Sequence, residues 1–364
     1  MRLEVLKSKR KGFTLVELIA VVVILGLILA IAVPKIMDVI DNSRISALIN
    51  NEEMMIRATM NYIVLNEGVA PTEIGDTIKI TLEYLQNNNF ITVIKNPYNK
   101  NEICDGYILV RSVSKTLLDY APYLKCGNNY ISSTIIIDGL VVDMSLGDYM
   151  DSNTYLDRSE FNNHGTNYGS SLTINRFGES NKASNFNGIN QYVLIPDRTE
   201  LRGRKDISVS LWVNSKRCGN ATNSWTTNQP IIHKQLDGIY GDWGFSILTN
   251  CRLSWYGENS PGNNDYQLIS GNNAITLNTW HQLSFVLNWE DKNLTVFIDG
   301  EMVASDLNLP EVSSSASTAN LVIGRFNYNS NFFEGIISDV RLYNRALTSD
   351  EIKHNYNIEK YRSI

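Results

Sequence analysis

The segment Lys11-Gly12-Phe13-Thr14-Leu15-Val16-Glu17-Leu18 joins a basic leader to a long apolar run, and it decides how the rest of the chain is organised. From Thr14 to Val33 the sequence contains 20 residues, and Glu17 is the one ionisable residue among them. A helix that rises about 1.5 Å per residue needs about 20 residues to cross the roughly 30 Å hydrocarbon core of a bilayer. The run therefore predicts a transmembrane helix.

The leader predicts the orientation and the processing of this helix. Four of the cations that precede the run are clustered next to it, at Lys7, Lys9, Arg10 and Lys11. Because cationic flanks stay in the cytoplasm, we expect the N-terminus inside and the rest of the chain outside. No small-residue cleavage site of a secretory signal follows Val33, so we expect the helix to be retained.

Glu17 needs a further explanation, because a carboxylate in a membrane helix usually marks a functional site with a partner. Cleavage between Gly12 and Phe13 would create an ammonium group at Phe13, four residues before Glu17. A staggered neighbouring subunit could then supply the opposite charge. The alternative is a single-pass anchor with a Glu near the interface.

The stretch from Gly12 to Ile19 resembles the signature of type IV prepilins, and the resemblance extends over residues 7–34. It implies cleavage after Gly12 by a membrane aspartic prepilin peptidase, N-methylation of Phe13, and packing of residues 13–34 as the core of a filament, with Glu17 serving assembly. Pseudopilins of secretion systems begin in the same way, so the motif leaves pilus and pseudopilus open.

Composition agrees with an exported protein of more than one module. The length of 364 residues suggests two domains. Removing residues 1–12, which contain five cations and Glu4, changes the formal net charge from −6 to −10. A mature surface this acidic argues against nucleic-acid binding.

An even number of cysteines favours disulfides in an extracellular protein. The four are Cys104, Cys126, Cys218 and Cys251, and proximity in sequence suggests the pairs Cys104–Cys126 and Cys218–Cys251. Structural zinc is not expected, because the chain lacks closely spaced Cys-x-x-Cys pairs and its four His are dispersed.

Beyond Pro34 the apolar residues recur at steps of three and four, which predicts that the helix continues as an amphipathic one. It should end near Asn66 and Gly68, before Pro71. The run Tyr107-Ile108-Leu109-Val110 predicts a strand in a small head. We therefore expect a leader at 1–12 and a pilin module at 13–137, with a helix at 13–66 and a head at 67–137.

Near Asp138 the composition changes to short strands separated by turn residues, which indicates an all-β sandwich over residues 138–364. The expected strands include Tyr192 to Ile195, Ile207 to Val213, Gly244 to Leu248, His281 to Leu287, Leu294 to Ile298 and Leu321 to Ile323. Asp299-Gly300 between apolar runs predicts a two-residue hairpin of type I′.

The order of motifs in this region resembles the laminin-G-like, concanavalin A-like jelly roll. The motifs include Asn163-His164-Gly165, Phe186-Asn187-Gly188, Thr279-Trp280-His281 and Ser338-Asp339-Val340-Arg341-Leu342-Tyr343-Asn344-Arg345-Ala346-Leu347. The resemblance implies binding, most often of glycans or cell-surface proteins, frequently with a calcium ion. The candidate calcium ligands are Asp157, Asn187, Asn190 and Asp339. Asn187 stands where such domains often carry Asp, and turn capping explains Asp157 and Asp339 equally well.

Long loops that combine aromatic and polar residues are the predicted ligand contacts, because sugar recognition needs flat apolar surfaces beside a few fixed polar groups. The candidates are Tyr240, Asp242, Trp243, Trp255, Tyr256, Asn263, Asn264 and Asp265. The alternative is that Trp243 and Trp255 belong to the core of the sandwich. No Glu-x-Asp-x-x-Glu triplet of jelly-roll glycosidases occurs, so we do not expect an enzyme.

The sequence as a whole predicts a multidomain α+β protein, similar to the modular adhesive minor pilins of Gram-positive type IV pili. The expected function is that of an adhesin, a minor subunit that presents a lectin module to host or surface glycans. Because so large a domain should crowd its neighbours along a shaft, we expect it at the tip of an extracellular pilus, after a precursor stage in the cytoplasmic membrane. The alternative is a pseudopilin or pilus-priming subunit whose sandwich binds protein partners, including other pilins.

Overall fold

The computed structural model describes residues 15–66, 68–73, 76–114, 117–127, 130–202, 206–220, 228–235, 243–258, 265–309, 317–326 and 331–360. In the first helix the backbone is described throughout, and the side chains before Ser43 are described in part. The predicted processing residues Gly12 and Phe13 lie outside the described residues. Glu17 lies inside the helix, and its side chain is not among those described.

The described chain contains three α-helices, 22 strands and two short 3-10 helices, at Thr199–Leu201 and Thr249–Cys251. The helices are α1 (Leu15–Leu65), α2 (Leu82–Asn87) and α3 (Ser349–Glu359). The strands of the head are β1 (Thr77–Thr81), β2 (Lys95–Asn96), β3 (Asn99–Ile103), β4 (Asp105–Ser114), β5 (Leu117–Cys126) and β6 (Tyr130–Ile131).

The remaining strands belong to the sandwich. They are β7 (Leu140–Tyr149), β8 (Thr154–Asp157), β9 (Gly165–Tyr168), β10 (Ser171–Thr173), β11 (Ala183–Asn187), β12 (Tyr192–Ile195), β13 (Ile207–Ser215), β14 (Gln229–Lys234), β15 (Trp243–Ile247), β16 (Leu253–Glu258), β17 (Asp265–Ile269), β18 (Trp280–Asn288), β19 (Asn293–Ile298), β20 (Glu301–Asp306), β21 (Leu321–Ile323) and β22 (Glu334–Tyr343).

Helix α1 matches the predicted helix within two residues, and its two halves differ in environment. Leu15 and Val16, near its start, are each 74 % exposed, whereas Leu48 and Met55 in the second half are fully buried against the head. Over the described residues, no helix is both long enough and apolar enough to cross a membrane.

The head is a four-stranded antiparallel sheet in the order β1-β4-β5-β6 that packs on α1. Ile108 and Val110 of β4 share a core with the buried side of the helix. Cys104 and Cys126 form a disulfide within the same core, which confirms the predicted pair.

The sandwich follows one hydrogen-bonded path, β17-β16-β15-β14-β21-β12-β9-β8-β7-β22-β13-β18-β19-β20, with β11 pairing β22 off the path. Phe245 of β15 and Phe285 of β18 come from opposite halves of the path, and their ring centroids lie 5.4 Å apart in one large core. The path therefore folds into two facing layers, as predicted for a jelly-roll sandwich.

Two local predictions for the sandwich are also confirmed. Cys218 and Cys251 form the second disulfide. Asp299 and Gly300 connect β19 to β20 with φ of 52° and 74°, which is the geometry of the two central positions of a type I′ turn.

Helix α3 departs from the all-β prediction for residues 138–364. Thr348 caps it through the N–H of Glu351, and the Glu351 carboxylate accepts the Thr348 N–H in return, which forms a capping box. The helix packs back on the sandwich, where Glu359 is fully buried and pairs with Arg341 of β22.

The head and the sandwich share a third apolar core. Tyr107 and Leu109 lie on the face of β4 that points away from α1, and they pack with Val286, Phe297 and Tyr343 of the sandwich. Residues 135–137 and 140 lie in this core as well, so the predicted boundary between 137 and 138 falls inside a packed contact and stays a prediction.

Candidate ligand-binding surface

Several of the predicted ligand contacts cannot be placed. Tyr240, Asp242, Asn263 and Asn264 lie outside the described residues. Asp265 begins β17, and its side chain is not described.

For the other three aromatic candidates the prediction of ligand contact is wrong. Trp243, Trp255 and Tyr256 are 3 %, 1 % and 0 % exposed. The two Trp side chains point between the layers, where each ring lies against Phe285, at centroid distances of 5.2 and 6.2 Å. Alternate residues of a strand face opposite sides, so an aromatic-rich sequence does not show which side its rings take. In this fold both Trp rings face the core.

Asp157, one of the predicted metal ligands, has a structural role. Its buried carboxylate accepts hydrogen bonds from the N–H groups of Asp143, Ser159 and Asn163, at 2.8, 3.0 and 2.7 Å, and from the Ser159 hydroxyl at 2.7 Å. Burial raises the pKa of Asp157 to about 6, although these hydrogen bonds lower it. The carboxylate thus organises the loop after β8.

The other three metal candidates also have local partners. Asp339 forms an ion pair with Arg176 and accepts the Ser338 hydroxyl. Asn187 accepts the N–H groups of Ile189 and Asn190 through Oδ1 and donates to Asn190 Oδ1 at 2.9 Å. Within the part of the chain that the structure describes, no three His, Cys, Asp or Glu side chains are grouped to hold a metal.

The outer face of the sandwich presents a pair of stacked tyrosines that were not among the predicted ligand contacts. Tyr168 of β9 lies directly opposite Tyr192 of β12 in the antiparallel register. Their rings are nearly parallel, at 5°, with centroids 4.5 Å apart. Because Val193 and Ile195 point into the core, Tyr192 points outward, and Tyr168 remains 44 % exposed.

A cation and a third ring extend this stack. The guanidinium of Arg325 lies over Tyr192 at 4.7 Å and over Phe332 at 5.9 Å. Arg325 and Phe332 are joined by a β-bridge, so the two side chains belong to one local structure. Such a cation–π contact fixes the ring plane of Tyr192. We refer to Tyr168, Tyr192, Arg325 and Phe332 as the tyrosine platform.

Polar groups and one exposed apolar side chain border the platform. Gln191 donates through Nε2 to the carbonyl of Gly169, and its Oε1 is buried without a hydrogen bond to described residues. The turn from Asn187 to Asn190 precedes it, with Ile189 71 % exposed. Flat aromatic surface beside fixed amide groups is the arrangement that sugar recognition uses.

A buried polar network lies on the same outer face, further along the sheet. His233 Nδ1 and Nε2 contact Tyr256 Oη at 3.1 Å and Ser246 Oγ at 3.0 Å. A side chain at Gly244 would lie 2.3 Å from both His233 and Tyr256, so glycine is needed for the two rings to meet. Phe326 packs on His233, which connects the network to the segment after β21 that carries Arg325.

We expect His233 to make the fold sensitive to acid. Burial lowers the pKa of His233 to about 3. Below about pH 6.5 the unfolded chain binds a proton at this position and the folded chain does not, so the free energy of unfolding falls on acidification. Its contribution is at most about 1.4 kcal/mol per pH unit down to the folded pKa. Between pH 7 and pH 5, urea unfolding should therefore show a larger fall in the free energy of unfolding for the native chain than for His233→Gln. Equal losses would contradict this assignment, since every other titrating group is common to both proteins.

Comparison with known proteins gives two family matches. A model of the concanavalin A-like lectin/glucanases superfamily matches residues 187–353, and a model of the prokaryotic N-terminal methylation motif matches residues 7–33. No curated protein matches the chain.

Similar solved structures include the binding domain of Paraclostridial Mosquitocidal Protein 1, with 19 % identity and a TM-score of 0.48. The receptor binding domain of botulinum neurotoxin C/D mosaic serotype is another, with 19 % identity and a TM-score of 0.47. In each case the match covers 61 % of this chain and 52 % of the other, so the chain spans about half the length of these structures. Similarity at this level says nothing about the ligand of this chain.

Proposed function

We propose that this chain, which carries a type IV pilin signal motif and a concanavalin A-like domain, is a minor pilus subunit that binds glycans and acts as an adhesin. The motif supports a precursor anchored in the membrane and assembly with other pilins. Cleavage by a prepilin peptidase, N-methylation of Phe13 and a tip position belong to the same proposal. Uniform labelling along filaments in immunogold images would contradict the tip position.

The tyrosine platform is the observation that carries glycan binding. Tyr168 exposes an aromatic face at a fixed angle, because Tyr192 stacks beneath it and Arg325 holds Tyr192. A rigid, already ordered ring loses little entropy when a sugar stacks on it. The role proposed for the sandwich is therefore recognition without catalysis. Hydrolysis of a bound glycan by the purified chain would contradict that role.

The test compares two tyrosines of equal exposure. Tyr168 and Tyr84 are each 44 % exposed, but Tyr84 lies on the head and packs edge-on against Tyr62. We expect Tyr168→Ala to weaken binding on a glycan array about tenfold, which corresponds to about 1.4 kcal/mol of stacking and burial. Tyr84→Ala should leave glycan binding unchanged.

Two outcomes of the array would contradict the proposal. Equal loss in both variants would indicate a general effect on folding. No binding by the native chain, together with tight binding to other pilus subunits, would favour the pseudopilin or priming role. A parallel array with a chelator tests whether calcium takes part, because a bound calcium would be removed before the glycan is added.

A further inference from the structure

A row of outward-facing residues on β9 continues from the tyrosine platform along the sandwich. Gly165 and Asn167 point inward, because a side chain at Gly165 would meet core atoms and Asn167 is buried. Alternate residues of a strand face opposite sides, so Thr166 and Tyr168 face outward, and His164, directly before the strand, continues the row. At about 3.3 Å per residue the row is about 13 Å long. It therefore extends well beyond the length of one sugar ring.

The free face of Tyr168 looks across the neighbouring strand β8. Its other face stacks on Tyr192 of β12, and β9 lies between β12 and β8 in the sheet. The ring centroids are 4.5 Å apart, close to the spacing of about 4.8 Å between neighbouring strands, so the stack runs across the strands. On β8, Thr154 pairs with Thr166, and both are partly exposed. A sugar stacked on the free face would therefore lie beside two threonines.

His164 presents an oriented hydrogen-bond donor at the far end of the row. Its Nδ1 accepts the N–H of Asp157 at 3.0 Å, so the proton of the neutral ring lies on Nε2. Burial and, after it, the charge of Arg198 lower the pKa of His164, so the ring is neutral at pH 7. Among the described residues nothing accepts the Nε2–H, and the atom is not fully buried. The backbone of β8 thus sets the direction of a free donor.

Both ends of the row are fixed before any ligand binds. Next to His164, the Asn163 N–H donates to the buried Asp157 carboxylate at 2.7 Å, and Asn163 Nδ2 donates to the Val141 carbonyl at 2.8 Å. At the other end, the platform holds the ring of Tyr168. A preorganised pair of contacts loses little entropy on binding, and the distance between them selects the length of the ligand.

We propose that His164 is a second binding residue of the glycan site, and that the glycan is an extended β-1,4-linked chain of at least two sugar residues lying along β9. Tyr168 stacks on one ring, and His164 Nε2–H donates to an oxygen of a later ring. A β-1,4 linkage keeps successive rings in a straight line, which the straight row of β9 requires. The inference rests on the proposed function, because it concerns the same site, and it adds the length and direction of the ligand.

The test measures the affinity of the full chain in detergent micelles by isothermal titration calorimetry. The probes are N-acetylglucosamine, glucose and the β-1,4-linked trimer of each. We expect at least one trimer to bind about fivefold more tightly than its monomer, as one added neutral hydrogen bond gives. His164→Asn keeps an acceptor for the Asp157 N–H, because Asn Oδ1 takes the place of Nδ1, but it removes the Nε2–H. The ratio of trimer to monomer affinity should then fall about fivefold.

Two further histidine variants complete the design. His164→Gln places an amide N–H near the position of Nε2–H, so it should retain most of the preference for the trimer. His281→Asn makes the same substitution in β18, where His281 contacts Asp299, and it should leave the ratio unchanged. The ratio separates binding from folding, because partial unfolding weakens the binding of both sugars equally.

Three results would overturn the inference. They are a native chain that binds neither trimer, a native chain that binds trimer and monomer equally, and a His164→Asn chain that keeps the native ratio. None of them removes the tyrosine platform, whose own test is the loss of array binding in Tyr168→Ala. That variant should weaken the binding of monomer and trimer alike, whereas His164→Asn should act on the trimer.

Discussion

Replacing Arg341 by Met should lower the free energy of unfolding by about 3–5 kcal/mol, which is the usual cost of removing one partner from a buried ion pair. Arg341 is fully buried, and its Nη1 donates to Glu359 Oε1 at 2.6 Å. Its Nε lies 3.1 Å from Asp143 Oδ1. Without the guanidinium, a carboxylate of α3 would remain in the interior without its counter-charge.

The surroundings of Glu359 explain why the loss should be this large. The carboxylate also accepts the Trp212 indole N–H at 2.5 Å and the Gln282 amide at 3.1 Å. Burial raises the pKa of Glu359, so in the variant the group would become protonated at the cost of that network. Arg176 lies over Trp212 at 4.3 Å and holds the C-terminal end of α3 through the Glu359 carbonyl.

Arg217→Met is the matched control for this prediction. Arg217 pairs with Glu334 at 3.0 Å, and both side chains are 38 % exposed, so the same substitution should cost at most about 1 kcal/mol. Urea unfolding followed by near-ultraviolet circular dichroism measures both. Similar losses in the two variants would contradict the role given to the buried network. Adding Glu359→Leu to Arg341→Met should restore part of the stability, because the buried carboxylate that had lost its counter-charge would then be absent.

Local patterns in the sequence were enough for much of the fold. The three- and four-residue spacing predicts α1, alternation predicts the strands of the sandwich, and Asp299-Gly300 predicts the hairpin turn that the structure contains. Each of these depends on neighbours in sequence. The sequence of helix α3 also contains a local signal, the capping box from Thr348 to Glu351. Because the surrounding segments are rich in strands, the region was predicted as all-β.

The ligand surface could not be predicted from local patterns, because it depends on which strands pair and which side of each strand faces the core. Trp243 and Trp255 occupy core positions because of the side on which β15 and β16 meet the opposite layer. Tyr168 and Tyr192 are 24 positions apart, and only the register of β9 with β12 stacks them.

One strand did contain a signal for that docking. Tyr107-Ile108-Leu109-Val110 is apolar without alternation, which is typical of a strand buried on both faces. In the structure Ile108 and Val110 face α1, while Tyr107 and Leu109 face the sandwich. The run therefore predicts the second contact as well as the strand.

Leu109→Asp should separate the sandwich from the head while each module keeps its own core. Leu109 is 7 % exposed in the shared core, and a carboxylate there would lose its hydration without gaining a partner, at a cost of several kcal/mol. The head retains its contacts with α1, and the sandwich retains its separate core. We therefore expect the contact between the modules to open, because opening it returns the carboxylate to water while the two separate cores stay intact.

Hydrogen–deuterium exchange of the purified full chain measures this separation. Peptides that cover residues 134–140 should exchange faster, because Ile136 N–H donates to Asn355 Oδ1 and Thr134 O contacts His354 Nε2 only while α3 lies against the head. Peptides from β13 and β18 should keep their protection. Met302→Asp, at a site 61 % exposed on β20, is the control and should leave exchange unchanged. Faster exchange throughout Leu109→Asp would mean that the modules unfold together.

The same variant distinguishes binding from adhesion. The tyrosine platform lies within the sandwich, so Leu109→Asp should leave its glycan affinity unchanged. In the proposed pilus, α1 belongs to the filament and the docked head fixes the direction in which the platform points. Pili that carry Leu109→Asp should therefore bind glycans at rest and detach at lower shear than native pili. Equal detachment would show that a flexible tether serves adhesion as well as a docked module does.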